Sequence, residues 1–283
     1  MDAHDAGQTS SRGFVTAEWR YLAMLNYPVD REILRPLAPP GTELDLWDGE
    51  AYLSLVGFLF LNTRILGVAV PFHQNFEEVN LRFYVRHKAQ GEWRRGVVFV
   101  KEFVPRRAIA GVARAVYNEN YATASMTHSI DSSGGFLRPG GTVAYTWRAR
   151  EGRGRIAVRT AGEARLPAQG SHEEYIAEHN WGYSVQRNGG TKEYRVEHPP
   201  WKVWNSQSAE FDGDVESLYG DRFVDCLSAP PRSAFVADGS AVTVCNGVRL
   251  LERRSPQEVK TSPIGEVEPY APSEGAAERR VKS

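Results

Sequence analysis

The chain has 283 residues, 41% hydrophobic and 24% charged, with 34 Lys plus Arg against 35 Asp plus Glu and a formal net charge of -1. A chain this long can bury a core without a disulfide or a metal to hold it. Its near-neutral balance argues against a nucleic-acid partner, which needs concentrated basic surface.

Residues 1–13 are poor in large apolar groups and carry no apolar run of the secretory type, so disorder and no signal are expected there. Asp30 ahead of Arg31-Glu32-Ile33-Leu34 predicts a capped short helix, broken at Pro36. Alternation over Glu43–Trp47 and the Asp48-Gly49 pair predict a hairpin leading into Ala51–Leu61. The stretch from Ala51 to Phe72 is apolar over a bilayer-spanning length, but Asn62-Thr63-Arg64 in its middle would be costly in lipid. It reads as two consecutive buried strands split at that polar triplet, with no membrane span.

Glu78–Arg86 and Val97–Val104 follow as strands, and Pro105 opens a helix whose apolar side carries Ala108, Ile109, Val112, Val116 and Tyr117. Val143–Arg150 and Arg155–Thr160 predict a hairpin around Glu151-Gly152. Ser171-His172-Glu173-Glu174 matches a capping box for a helix reaching His179 or Asn180. Asn188-Gly189-Gly190 turns Tyr183–Arg187 back into Thr191–Glu197, and a last helix runs from Asp214 to Gly220. Residues 251–283 mix Pro, Gly, Ser, Glu and Arg without period and predict a disordered tail, leaving one β-rich domain over 14–250. The fold class is α+β: mostly antiparallel strands, closed or partly closed into a barrel, with few short helices.

The most informative strand is Phe76–Val85. Period-two alternation puts Val79, Leu81, Phe83 and Val85 on one face and Glu78, Asn80, Arg82 and Tyr84 on the other. Alternation alone turns the polar face to water. In a closed sheet the same face would line a cavity, with Glu78 and Arg82 as catalytic groups and Asn80 beside them. Lys101 falls in parity with Val97, Phe99 and Phe103; it either loses its charge on an apolar face, as a nucleophile would, or snorkels to water or pairs with Glu102. Asn118, Glu119 and Tyr121 follow the helix after Pro105 and could frame a polar pocket, or the asparagine could simply cap the helix. His179, one turn from Tyr175, is a binding candidate or a hydrogen-bonded core histidine, and Trp181 and Tyr183 are ligand wall or packing around turns.

Seven histidines occur, none with the spacing of a metal site, although His179 and His198 could meet across elements. Cys226 and Cys245 form no CxxC and fit reduced thiols in the cytoplasm. No nucleotide or dinucleotide fingerprint is present, so neither metal nor cofactor is expected. The partner expected is a small molecule, with no nucleic acid and no membrane; a homo-oligomer is left open.

Taken together, Trp19-Arg20-Tyr21-Leu22, Leu34-Arg35-Pro36-Leu37, Trp47-Asp48-Gly49, Phe76-Glu77-Glu78-Val79-Asn80, Tyr117-Asn118-Glu119, Trp181-Gly182-Tyr183 and Val196-Glu197-His198-Pro199 resemble the blocks of the bacterial YqjF-like family of uncharacterised proteins. The resemblance spans about residues 14–250 and implies the acetoacetate decarboxylase-like fold, a β-rich barrel enclosing a pocket. It favours Glu78 as a pocket residue, because the decarboxylase strand carries a glutamate in similar surroundings. Where the decarboxylases carry their reactive lysines, this chain reads Arg114 to Ala122 with no lysine. The resemblance therefore does not extend to Schiff-base chemistry. The function expected is an enzyme acting on a small carbonyl- or carboxylate-bearing metabolite without that lysine, or a binding or sensing module that does no chemistry.

Overall fold

The computed structural model describes residues 13–69, 71–105 and 118–250. The N-terminal segment through residue 12, the helix expected after Pro105 and the tail from residue 251 lie outside the described residues.

The chain enters as a long strand, β1 (Gly13–Val29). Asp30 caps the single turn α1 (Arg31–Leu34) by accepting the Glu32 amide at 2.9 Å, and Pro36 diverts the chain into a 3-10 turn over Arg35–Leu37. β2 (Glu43–Leu44) precedes a tight turn in which Asp48 and Gly49 both take positive φ (50° and 78°), the geometry that suits a two-residue hairpin. β3 (Ala51–Ile65) follows.

β3 does not break at Asn62-Thr63-Arg64. Asn62 takes φ 54°, which asparagine tolerates, and absorbs an extra residue: Leu61 pairs with Glu18, yet Arg64 pairs with Thr16. The chain reverses later, at Leu66-Gly67, and the expected second buried strand is only β4 (Val68–Ala69), a short return with Leu66 and Val68 exposed.

β5 (Phe76–Ala89) and β6 (Glu92–Val104) form an antiparallel pair with one irregularity. Leu81 faces Lys101 but Arg82 faces Phe99, so Val100 is an extra residue in β6 and a β-bulge. β7 (Tyr121–Thr123) joins β6 in parallel. β8 (Ser125–Ile130) and the small hairpin of β9 (Ser132–Ser133) and β10 (Phe136–Leu137) lead into the expected pair β11 (Thr142–Arg148) and β12 (Arg153–Arg165).

Ser171 caps α2 (His172–Ala177) by accepting the Glu174 amide at 3.2 Å, while the Glu174 carboxylate accepts from the Gly170 amide. The helix stops at Ala177, short of His179, because Glu178 already leaves helical geometry. β13 (Trp181–Val185) and β14 (Thr191–Glu197) pair around the Asn188-Gly189-Gly190 turn. β15 (Val203–Gly213) precedes α3 (Val215–Tyr219), which ends at Gly220 with φ 99°. A further helix, α4 (Val224–Ser228), follows where α3 was expected to be the last, and β16 (Ser233–Cys245) and β17 (Val248–Arg249) complete the described chain.

The main sheet runs β17-β14-β13-β6-β5-β3-β1-β16-β15-β12-β11-β8, antiparallel apart from the β13–β6 contact on this path. β14 also pairs with β16 through Val196–Val244 and Glu197–Thr243. That return makes the sheet partly closed. Val79, Leu81, Phe83 and Val85 pack on its outer side with Leu53, Leu55, Tyr145 and Trp147. The other side carries Leu22, Met24, Phe58, Tyr84, Tyr175 and Trp201. A buried chain ties four strands there: Asn26 donates to Ser233 (3.0 Å) and accepts from Ser54 (2.6 Å), whose hydroxyl shares a 2.5 Å contact with Tyr84. None of the described helices is long and apolar enough to cross a membrane.

Candidate functional site

The partly closed sheet encloses a cavity of about 210 Å³. Most of its wall is aromatic and aliphatic, with Trp19, Phe58, Phe60, Phe76 and Phe99 prominent. Trp19 packs edge-on against Phe58 and Phe60, and Phe60 stacks on Phe76 at 4.6 Å, so the wall is a connected aromatic surface.

One end is polar. Glu78, Asn80 and Arg82 are 3%, 2% and 9% exposed and all line the cavity. The polar face of β5 therefore turns inward rather than to water. Asn80 Nδ2 donates to Glu78 Oε1 at 3.0 Å, and the Tyr121 hydroxyl donates to Glu78 Oε2 at 3.4 Å. Glu119 also lines this end and accepts from the Tyr194 hydroxyl. Arg82 Nη2 donates to the Ile176 carbonyl at 3.3 Å, and its Nε is buried without a hydrogen-bond partner.

The sequence does not announce Glu102. Because Val100 bulges out of register, parity along β6 reverses between Phe99 and Lys101. Phe99 and Glu102 line the cavity, and Lys101 shares the opposite face with Leu81, its ammonium 5.8 Å from the Phe103 ring. Lys101 thus neither sits in the apolar set with Val97 and Phe99 nor reaches Glu102 across the strand. Glu102 is 1% exposed and its Oε2 has no hydrogen-bond partner.

Burial sets the protonation of this cluster. It pushes Glu78 up to about 7 against the hydrogen bonds from Asn80 and Tyr121 and the charge of Arg82. It likewise pushes Glu119 up to about 8, with Tyr194 opposing and Glu78 assisting, and it raises Glu102 well above the usual carboxylate range, helped by the charges of Glu119 and Glu78. Three carboxyls that would all be ionised in water are pushed toward their protonated forms here, with Glu78 divided between its two forms near neutrality.

His179 lines the same cavity, with its ring 4.6 Å from that of Tyr84. Burial lowers it to about 4, so the ring is neutral, and Nε2 lies 3.4 Å from Asp45 Oδ2. Burial alone would raise Asp45, but the hydrogen bonds from His179 and Arg95 (2.6 Å) overrule it and hold that carboxyl below its ordinary value. The Asp45 contact places the His179 proton on Nε2 and leaves Nδ1, which is buried and unpartnered, as an acceptor.

The remaining candidates are distributed unevenly. Trp181 lines the cavity with the Arg94 guanidinium 4.5 Å from its ring. Tyr183 is buried outside the lining, its single hydroxyl proton shared between the Arg94 carbonyl (3.1 Å) and Glu193 Oε1 (3.0 Å). Asn118 is spent on the Val185 carbonyl at 2.7 Å, and His198 stacks on Trp201 at 4.0 Å; neither lines the cavity. Among the described residues no group of His, Cys, Asp and Glu is arranged to hold a metal.

A partly closed, mostly antiparallel sheet with few short helices places the chain in the acetoacetate decarboxylase-like fold. The enduracididine biosynthesis enzyme MppR complexed with pyruvate superposes with a TM-score of 0.62 at 14% identity, over 87% of this chain and 93% of that one. An acetoacetate decarboxylase-like enzyme from Sphingomonas wittichii RW1 gives 0.59 at 13% (88% and 98%), and acetoacetate decarboxylase from Legionella pneumophila gives 0.56 at 12% (90% and 94%). At such identities the likeness is one of fold. Residues 16–241 match DUF2071, a family of uncharacterized conserved proteins, and the chain belongs to that family. The uncharacterized protein YqjF of Bacillus subtilis (strain 168) is 26% identical over 206 residues, 71% of this chain and 80% of YqjF.

Proposed function

We propose that the cavity takes a small carbonyl- or carboxylate-bearing metabolite and that Glu78 moves a proton on it, without a covalent amine. The observation that carries this reading is a buried carboxyl raised to about 7, fixed by Asn80 and Tyr121 and open to an apolar-walled cavity. A group with that value is populated in both forms at neutral pH, which suits a general acid–base. Ionised Glu78 would take a proton from the carbon next to the carbonyl, and the enolate oxygen would accept from the Tyr121 hydroxyl or a protonated neighbour. Return of the proton from Glu78 then leaves the enzyme unchanged. Arg82 supplies positive charge at the same end for a substrate carboxylate.

The described lining contains no lysine, which supports non-covalent chemistry. It equally favours a second reading, a binding or sensing module that does no chemistry. The two separate in D2O: proton NMR of a panel of ketones and keto acids is expected to show exchange of the hydrogens beside the carbonyl. Glu78→Gln should slow that exchange about 100-fold or more. An unchanged rate in Glu78→Gln overturns the catalytic reading, whereas a raised melting temperature with no exchange selects the binding module.

A further inference from the structure

With its carboxyls ionised, the polar end of the cavity holds more hydrogen-bond acceptors than the surrounding side chains satisfy. Glu78, Glu102 and Glu119 arrive from β5, β6 and the segment just before β7, each at least nine-tenths buried. Asn80 serves Glu78, the Tyr121 hydroxyl is shared between Glu78 and Glu102, and Tyr194 serves Glu119. Glu102 Oε2 and Asn80 Oδ1 remain buried without hydrogen-bond partners, and the Asn80 carbonyl is free because its amide nitrogen is committed to Glu78. His179 Nδ1 adds a third unsatisfied acceptor. The one full cation among the described lining residues is Arg82, whose Nη2 is committed to the Ile176 carbonyl while its Nε is unpartnered. Lys192 acts on the charge of Glu119 without lining the cavity.

We infer that the ligand carries a protonated nitrogen, an ammonium or amidinium, held among Glu78, Glu102 and Glu119, with an apolar body against Trp19, Phe58, Phe60 and Phe99. This rests on the reading that the cavity takes a small organic molecule, and it adds the charge of that molecule. A nitrogen cation supplies two or more donors to acceptors that otherwise lack them, and charge-assisted bonds to carboxylates are the stronger kind. The aromatic wall also favours positive charge over its ring faces. A carboxylate on the same ligand would be confined to Arg82, whose Nε is buried without a partner, while the carboxyl cluster takes the cation.

Without ligand, the cluster lowers its own repulsion by holding protons. A bound cation takes over that role, so protons leave as it binds. Affinity then rises with pH as Glu78 and Glu119 ionise, in a setting that also includes Glu102 from β6, Arg82 from β5, Tyr121 from β7, Tyr194 and Lys192 from β14, and His179 after α2.

The test is calorimetric titration of the full chain with phenethylamine, 2-phenylethanol and 3-phenylpropionate, in two buffers of different ionisation heat. Phenethylamine is expected to bind at least about tenfold more tightly than either isostere, with net proton release, and to tighten between about pH 6 and 8. Glu102→Gln should weaken phenethylamine about tenfold while leaving 2-phenylethanol unchanged. Equal or weaker binding of the amine in the unaltered protein, or no binding of any of the three, overturns the inference whatever the variant does. Amine binding in a protein that shows no exchange chemistry would leave this inference standing and remove only the catalytic reading. Exchange on ketones with no preference for amines would do the reverse.

Discussion

Glu119 and His179 titrate on opposite sides of neutrality, and together they give the protein a bounded range of stability. A carboxyl raised in the folded state is protonated there while the unfolded chain has already lost its proton, so the fold loses stability as pH rises toward the folded value. Glu78, Glu119 and Glu102 all act in that sense, above about 4.5 and on through about 7 and 8. His179 acts the other way. Its value drops from 6.5 to about 4, so the unfolded chain takes up a proton first and stability falls as pH drops through that interval, with the lowered Asp45 adding to the loss further down. The two effects oppose each other in mildly acid solution, and above about 6.5 only the carboxyls remain. Urea midpoints should therefore fall between about pH 6.5 and 8, and Glu119→Gln should shrink that fall while keeping an acceptor for Tyr194. An equally steep fall in the variant would show that Glu119 does not hold a proton in the fold.

At the scale of strands and helices, local chemistry was readable where one residue type has one geometric use. Asp48-Gly49 and Asn188-Gly189-Gly190 turn their hairpins, Ser171 and Glu174 start α2, and Gly220 ends α3. The alternation that groups Glu78, Asn80 and Arg82 survives because no bulge interrupts β5 between them. Bulges escape because nothing in composition marks them: Tyr21, a large aromatic residue, sits at φ 56° where β1 slips against β3, and Val100 is a common strand residue. That single slip in β6 hides Glu102 among the outward residues and brings Lys101 into false parity with Phe99. Asp45 is hidden for another reason, since its link to His179 joins positions 134 apart in the chain. Close approach of strands to side chains can be tested at Gly182 in β13. A Cβ there would fall 2.1 Å from Cζ of Tyr194, the phenol that serves Glu119. Gly182→Ala should cost about 1–3 kcal/mol in urea unfolding, because the ring must leave its carboxyl partner to make room. A variant as stable as the parent would show that Tyr194 is loosely held.

Over the whole molecule, closure of the sheet is uneven. β1 and β3 pair along nearly their full lengths, from Val15–Ile65 to Val29–Ala51, and β1 meets β16 from Gly13–Cys245 to Asn26–Ser233. The junction that returns β14 to β16 consists of two residue pairs, Val196–Val244 and Glu197–Thr243. Both valines front the cavity. Local openings draw on the segments with fewest supporting interactions, so amide hydrogens at 196–197 and 243–244 should exchange with deuterium well before those of 79–85. Equal protection at the two places would mean that the ring behaves as one block. The parallel contact of β13 with β6 is equally short, so the β13–β14 hairpin is held to the long ladders by two rungs on either side. Release of that hairpin would open the cavity while β5, which carries Glu78, stays in its ladder with β3.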